Sequence, residues 1–295
     1  MPDPLDLAAQ AEHHPQPPSE PQPSKSAGHD GSSAASAEES TAAESDPDFM
    51  TSLARGLAVI QAFSPQRRLL TISQISQRTG IPRAAVRRCL HTLGKLGFVS
   101  AEDGRNFALR PRILALGHAY LASTPLANAA QPVLRHISKT LNESSSVAIL
   151  DGDEILYIAR AFTSRIMTID LHVGSRLPAY CTSMGRMLLS HLTPEALDAY
   201  LARVKLIQHT PRTIVSDEGL REALDSVRRN GYAINDQELE IGLRSIAVPI
   251  EAPDGRVVAA LNVGVQAARI SVAEMESRFL PVLRDGAREL GLLLA

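Results

Sequence analysis

Cysteine is scarce in this chain: the 295 residues hold two, Cys89 and Cys181, far apart and in no CxxC pair. That usage excludes a disulfide framework or a Cys-rich zinc site and fits a reducing compartment. No apolar run approaches the roughly 20 residues a membrane helix needs. The first residues lack the basic-then-apolar order of a secretory signal and open on Asp3, Asp6 and several prolines, so a cytoplasmic protein is expected. Catalytic signatures are missing as well. There is no GxSxG elbow, no GxxxxGK(S/T) loop, no GxGxxG after a strand and no HExxH. The histidines are scattered, with His13-His14 near the start and His172 and His191 isolated, so neither a metal nor another cofactor is expected, and no enzyme. Cys181, followed by Thr182 and Ser183, is open to two readings, a nucleophile or a small residue at a helix start. No repeat of solenoid length is present.

What the chain does have is charge sorted by position. Residues 1–48 carry one Lys against ten Asp or Glu, a net of −9. Residues 49–112 carry eleven Lys or Arg against two acids, a net of +9, and residues 113–295 carry eighteen against twenty, a net of −2. The overall −2 therefore hides a compact basic module, which points to a polyanionic partner whose counterions it would displace. Residues 1–48, rich in Pro, Ser, Ala, Gln and Glu, cannot bury enough apolar surface to offset chain entropy and are expected to be a disordered acidic tail.

The basic module reads as a DNA-binding unit. Ser52 is a candidate cap for a helix through Leu57, Ile60 and Phe63, with Pro65 beyond it. Ile72 to Thr79 then forms a short helix ending at Gly80, and a second helix starts at Pro82. At about 100° per residue, Val86, Cys89, Leu90, Leu93 and Leu96 fall on one side of that second helix. Arg83, Arg87, Arg88, His91 and Lys95 fall on the other. One face suits a core, the other phosphates and base edges. Residues 98–100 and 106–109 flank a polar turn with Gly104, which makes a hairpin with Arg105 near its tip. Three helices and a hairpin make a winged helix-turn-helix over residues 49–110. Its DNA-facing set is Thr71, Ser73, Arg83, Ala84, Arg87, Arg88, His91 and Arg105.

Residues 111–124 read as a connecting helix apolar enough to pack on its own domain or to pair two subunits, and the paired half-sites of such motifs favour the pair. Residues 125–295 mix helix signals at 125–142, 182–191, 194–204, 217–230 and 271–293 with strand signals at 145–150, 154–160, 166–173, 244–250 and 257–265. Turns at Asp151-Gly152-Asp153 and Pro253-Asp254-Gly255 close two antiparallel hairpins. An α+β domain follows, its antiparallel sheet flanked by helices and one face free to cradle a ligand.

Two segments look like parts of that cradle. From Gly174 to Arg186 a loop runs into a helix whose first N–H groups, with Thr182 and Ser183, suit a carboxylate, and Gly185 permits close backbone approach. Arg165, Arg176 and Arg186 lie nearby in sequence, two of them read as ordinary ion-pair partners. The second segment, Asn235 to Ala247, sets a dense acid run before a strand. It is either a solvated loop, or a segment with Asn235 and Ser245 facing inward and some acids holding a loop or an arginine. On 257–265, Asn262 and Gly264 share a face.

With LARGLAVIQAF, LTISQISQRTGIPRAAVRRCLHTLGKLGFV, VGSRLPAYCTSMGRMLL and GYAINDQELEIGLRSIAVPI in this order, the chain from about Met50 onward resembles the IclR family of bacterial transcriptional regulators. The last two stretches are most similar to its branch that regulates protocatechuate, 4-hydroxybenzoate and β-ketoadipate metabolism. The resemblance implies a GAF-like effector-binding and oligomerisation domain over 125–295. It also implies pocket positions at Ile166, Ile169, Ser183, Met184, Asn235, Ser245, Asn262 and Gly264. Where the family carries Gly-Ala, this chain has Ser183-Met184, a bulkier pair that counts against an effector as small as glyoxylate or pyruvate, or changes how one would sit. The expected partners are a palindromic DNA operator, a small aromatic acid or dicarboxylate, and further copies of the chain in a homodimer or homotetramer. Two alternatives stay open: a C-terminal domain that only oligomerises, and a regulator of another carbon-source pathway.

Overall fold

The computed structural model describes residues 46–64, 66–163 and 171–294. Two compact units meet in sequence between Arg110 and Pro111. The expected tail and much of the expected strand 166–173 lie outside the described residues, but Asp46–Asp48 form a hydrogen-bonded turn, with the Phe49 N–H donating to the Asp46 carbonyl at 3.1 Å.

The first unit contains α1 (Thr51–Gln61), β1 (Leu70–Thr71), α2 (Ile72–Thr79), α3 (Arg83–Lys95), β2 (Val99–Ala101) and β3 (Asn106–Leu109). Ser52 does not cap α1: it sits inside the helix, and Met50 stands at the cap without a side-chain bond. Val59, Ile75, Val86, Leu90, Leu93 and Val99 close the core. Leu96 lies just past α3 and is exposed, so it does not extend the apolar stripe. The three short strands pair antiparallel in the order β1-β3-β2, and β1 is a strand that periodicity did not show.

The second unit starts with a 3-10 turn, Pro111–Ile113, then α4 (Leu114–Ser123) and α5 (Pro125–Leu141). It continues with β4 (Ser144–Asp151), β5 (Glu154–Ala161), β6 (Arg176–Pro178), α6 (Ser183–Leu189), α7 (Pro194–Arg203) and α8 (Asp217–Asn230). β7 (Ala233–Asp236), β8 (Leu243–Glu251) and β9 (Val257–Gln266) follow. The end is a helix broken by a π turn, with α9 (Val272–Glu274), Met275–Phe279 and α10 (Leu280–Leu292). The expected strand at 166–173 is corrected at its described end. Leu171–Val173 lead into a turn at Gly174, whose φ of 91° suits glycine, and the strand forms later as β6.

All six strands pair antiparallel, in the order β6-β5-β4-β9-β8-β7. One sheet face packs on α5 and α10 through Leu134, Ile137, Leu261, Phe279 and Leu283. The helices close so tightly that a Cβ on Gly286 would stand 2.6 Å from Ile137 Cδ1. The other face carries α6, α7 and α8 over Ala148, Ala233, Ala247 and Ala260, whose small side chains let α6 come close. Fully buried side chains such as Leu134 and Phe279 on the first face and Met184 and Leu189 on the second are each worth about 1.5–3 kcal/mol, so both faces contribute to stability. No described helix is long and apolar enough to cross a membrane.

Candidate functional site

In the first unit the recognition face is built by caps. The Thr71 hydroxyl accepts the Gln74 N–H at 3.3 Å while the Gln74 side chain accepts the Thr71 N–H at 2.9 Å, so Thr71 is committed to starting α2. Gly80, at φ 69°, ends α2 and turns the chain toward Pro82. Val86, Leu90 and Leu93 then point α3 into the core. Arg83, Ala84, Arg87, Arg88 and His91 are left exposed, as is Ser73 on α2. Among the described residues Arg83, Arg87 and Arg88 take part in no ion pair. At the wing, Asp103 accepts the Arg105 and Asn106 N–H groups at 2.9 and 2.6 Å, which holds its carboxyl below the ordinary aspartate value and fixes the turn that exposes Arg105.

In the second unit a cavity lies between the sheet and the start of α6. Its floor is two registered cross-strand rows. One runs Asn235, Ser245, Gly264, Ser144. The other runs Ala247, Asn262, Ser146, Arg160. Asn235, Ser245, Asn262 and Gly264 thus come together as one wall, with Ser183 above them: the Ser245 hydroxyl donates to Ser183 Oγ at 2.8 Å. Asn235 Nδ2 donates to the Cys181 carbonyl at 2.7 Å. Leu171, Leu177, Leu239 and Leu243 supply the apolar part, and the free volume is about 40 Å³. Met184, in the first turn of α6, is fully buried in the core and is not among the residues lining this cavity. Ile166, Ile169 and Arg165 lie outside the described residues.

The acid run is largely committed to holding arginines. Glu238 is buried and forms a two-pronged pair with Arg186, one contact being Nη1 to Oε1 at 2.5 Å. Arg186 Nε also donates to the Tyr180 carbonyl at 2.9 Å. Asp236 pairs with Arg244 and Arg212, and Arg244 holds its carboxyl below the usual range. Arg176 pairs on the surface with Asp151 and Glu154. Gly185 is needed for protein packing rather than ligand approach, since a Cβ there would meet the Ala179 carbonyl oxygen at 2.1 Å. Burial pushes the Cys181 thiol up to about 12 against the pull of Arg186, so it stays protonated at neutral pH and is no nucleophile. No cluster of metal-ligating side chains occurs among the described residues.

Periodicity did not single out Arg160, Tyr157, Ser144 or Ser146, all of them on or beside this cavity. The reason is a β-bulge. Opposite Val147 and Ala148, β5 supplies Ala159 and Tyr157, leaving Ile158 as an extra residue. Ile158 and Ala159 then both face the α5 side, and Arg160 is turned to the cavity face with Tyr157.

The sequence model of the IclR helix-turn-helix domain matches residues 52–103, and that of the bacterial transcriptional regulator IclR C-terminal domain matches residues 118–292. The chain belongs to the IclR family. This IclR-family chain is 57% identical over 246 residues to the Pca regulon regulatory protein of Pseudomonas putida, covering 83% of this chain and 84% of that protein. It is 36% identical over 248 residues to the p-hydroxybenzoate hydroxylase transcriptional activator of Acinetobacter baylyi, covering 82% and 91%. An IclR homolog of Microbacterium hydrocarbonoxydans solved in complex with 4-hydroxybenzoate matches with a TM-score of 0.71 at 26% identity, over 83% of this chain and 99% of that one. The IclR-family chain is thus a helix-turn-helix transcriptional regulator, and its family and these relatives are regulators rather than enzymes.

Proposed function

We propose that this chain is a cytoplasmic, ligand-responsive regulator of genes for aromatic-acid catabolism through the β-ketoadipate route. A small carboxylate bound in the second unit changes how the first unit engages a palindromic operator. The observation that carries the reading is the polar cavity floored by Asn235, Ser245, Asn262 and Gly264, in a chain this similar to a Pca regulon regulator. On the DNA side Arg83, Arg87, Arg88 and His91 read the groove, Ser73 and Ala84 lie against it, Thr71 fixes the head of α2, and Arg105 reaches a phosphate or the minor groove from the wing. Ser183 completes the effector set, with Met184 acting from behind the wall, and the family resemblance adds Ile166 and Ile169. The functional units are the tail 1–48, the winged module 49–110, the linker 111–124 and the effector domain 125–295. The chain works as a homodimer or a pair of dimers. Support for this comes from α4, which is apolar on every side yet has no buried residue, with Leu114, Leu116 and Tyr120 at 71%, 54% and 45% exposure.

The test is a thermal-shift panel on the full chain with protocatechuate, 4-hydroxybenzoate, β-ketoadipate, cis,cis-muconate, glyoxylate and pyruvate. A ligand selective for the folded state raises the melting temperature with concentration. The expected result is a shift with one or more of the first four and none with the last two. A shift with glyoxylate or pyruvate alone, or with none of the six, refutes the assignment.

A further inference from the structure

The cavity has a cation that the effector set above leaves out. Arg160 is 9% exposed and lines the cavity at the β5 end of one registered row. Its guanidinium is steadied by a hydroxyl and a ring, and its backbone by a side-chain amide. Nη1 donates to Ser146 Oγ at 2.8 Å, the Phe162 ring centroid lies 5.0 Å from Cζ, and Gln131 Nε2 donates to the Arg160 carbonyl at 3.3 Å. A regular strand would send Tyr157 and Arg160 to opposite faces; the bulge at Ile158 sends both to this one. Bulges near ligand sites re-aim single side chains. Pre-orientation of the fork suits a carboxylate, which it binds through two parallel N–H donors.

The opposite end of the cavity differs in chemistry. Ser183 and Ser245 share a hydroxyl–hydroxyl bond of 2.8 Å, and Asn235 stands in register beside them. From Ser146, under the guanidinium, to Ser245 is two strand spacings across and two residues along, a diagonal of roughly 12 Å. That separation suits an elongated acid with polar groups at both ends.

We propose that Arg160 is the carboxylate anchor of the effector site, holding one end of an elongated acid whose far oxygen meets the Ser183–Ser245–Asn235 cluster. This rests on the effector reading of the cavity. The two sources of such a carboxylate, a hydroxylated benzoate and a six-carbon diacid, share the anchored end and are separated by the test.

Calorimetric titration of the full chain with 4-hydroxybenzoate and β-ketoadipate, and with the uncharged amides of each, 4-hydroxybenzamide and 3-oxohexanediamide, tests it in the native protein, Arg160→Gln and Arg160→Lys. The native protein should favour an acid over the corresponding amide by about 30-fold or more, the usual scale for a buried, hydrogen-bonded charge. Arg160→Gln should bring that ratio close to one by weakening the acid while leaving the amide unchanged. A general loss of packing would weaken both. Arg160→Lys replaces the fork by a point charge and should lower the ratio several-fold, which decides the matter if the Gln variant does not fold. Whichever acid the native protein binds names the source. An acid-to-amide ratio unchanged by these substitutions overturns the anchor and leaves the effector reading intact. Binding of neither acid by the native protein overturns the anchor, while the effector reading then stands or falls with the thermal-shift panel.

Discussion

Replacing Glu238 with Ala should be among the most destabilising changes available in the second unit. Its side chain is 10% exposed and that of Arg186 is 5% exposed. The carboxylate serves two partners, the Arg186 fork and the Ile214 N–H at 3.3 Å. Thr210 and Thr213 also bind the Glu238 backbone carbonyl, at 3.3 and 2.6 Å, so that segment cannot easily swing out to let water reach Arg186. After the substitution the guanidinium keeps the Tyr180 carbonyl as a partner and loses its counter-charge. Removing one member of a buried pair costs about 3–5 kcal/mol, because the other charge stays buried and uncompensated. For a unit spanning Pro111–Ala295 that corresponds to a fall in melting temperature of about 6 to 20 °C. Arg186→Met should cost a similar amount. The double variant should lose far less than the two losses together, since neither charge is then stranded. Thermal melting of the four proteins of this cycle at neutral pH gives the coupling directly. Losses that simply add in the double variant would refute the account of Arg186 and Glu238 as one buried unit.

Two further outcomes follow from other parts of the chain. Arg87→Ala should weaken binding to the operator by roughly 1–3 kcal/mol if Arg87 reads a base, with little change on random DNA; equal losses on both, measured by fluorescence anisotropy at matched salt, would make it a phosphate contact instead. Gly185→Ala should lower the melting temperature by several degrees or prevent folding, because its Cβ would stand 2.1 Å from the Ala179 carbonyl oxygen and overpacking costs typically 1–3 kcal/mol or more. Gly56→Ala, on α1 with nothing within 4 Å of the new Cβ, is the control and should be neutral or slightly stabilising. A harmless Gly185→Ala would contradict the packing of α6.

The legible parts of this protein were those set by local rules. The helix Ile72–Thr79 was bounded correctly by its turn glycine, and the turns at Gly152 and Gly255 were readable because both take positive φ, 64° and 81°. The inward placement of Asn262 and Gly264 followed from strand alternation alone. What escaped depends on partners distant in sequence. β1 is two residues long and exists only through its pairing with Phe107 and Asn106. β7 reads as part of an acid run, because Asp236 and Glu238 are neutralised by Arg244, Arg212 and Arg186. Arg160 was invisible for a sharper reason: alternation assigns it to the wrong face, and only the register shift opposite Val147 and Ala148 corrects this. Local periodicity carries no information about a bulge whose cause lies in the facing strand.

The cavity also limits how an effector can act. Its free volume of about 40 Å³ is well below the roughly 150 Å³ that holds a benzene ring in an apolar protein cavity. A ring-sized acid therefore binds an arrangement with more room, and a ligand shifts an equilibrium only through such a difference in affinity between arrangements. The parts able to yield are identifiable. The floor is a continuous ladder from β5 through β4 and β9 to β8, and α6 is fixed by Gly185 against Ala179 and by Arg186 on Glu238. Leu239 and Leu243 instead flank the turn around Gly242, at φ 88°, and Leu171 lies next to the turn at Gly174. Expansion should fall on these apolar turns. Hydrogen exchange with and without a saturating effector reads this directly: protection should change at residues 171–177 and 239–243 and stay constant along the β8–β9 ladder. A change centred on the ladder, with the two turns unaffected, would mean that the sheet itself opens and that the turns are not where the cavity makes room.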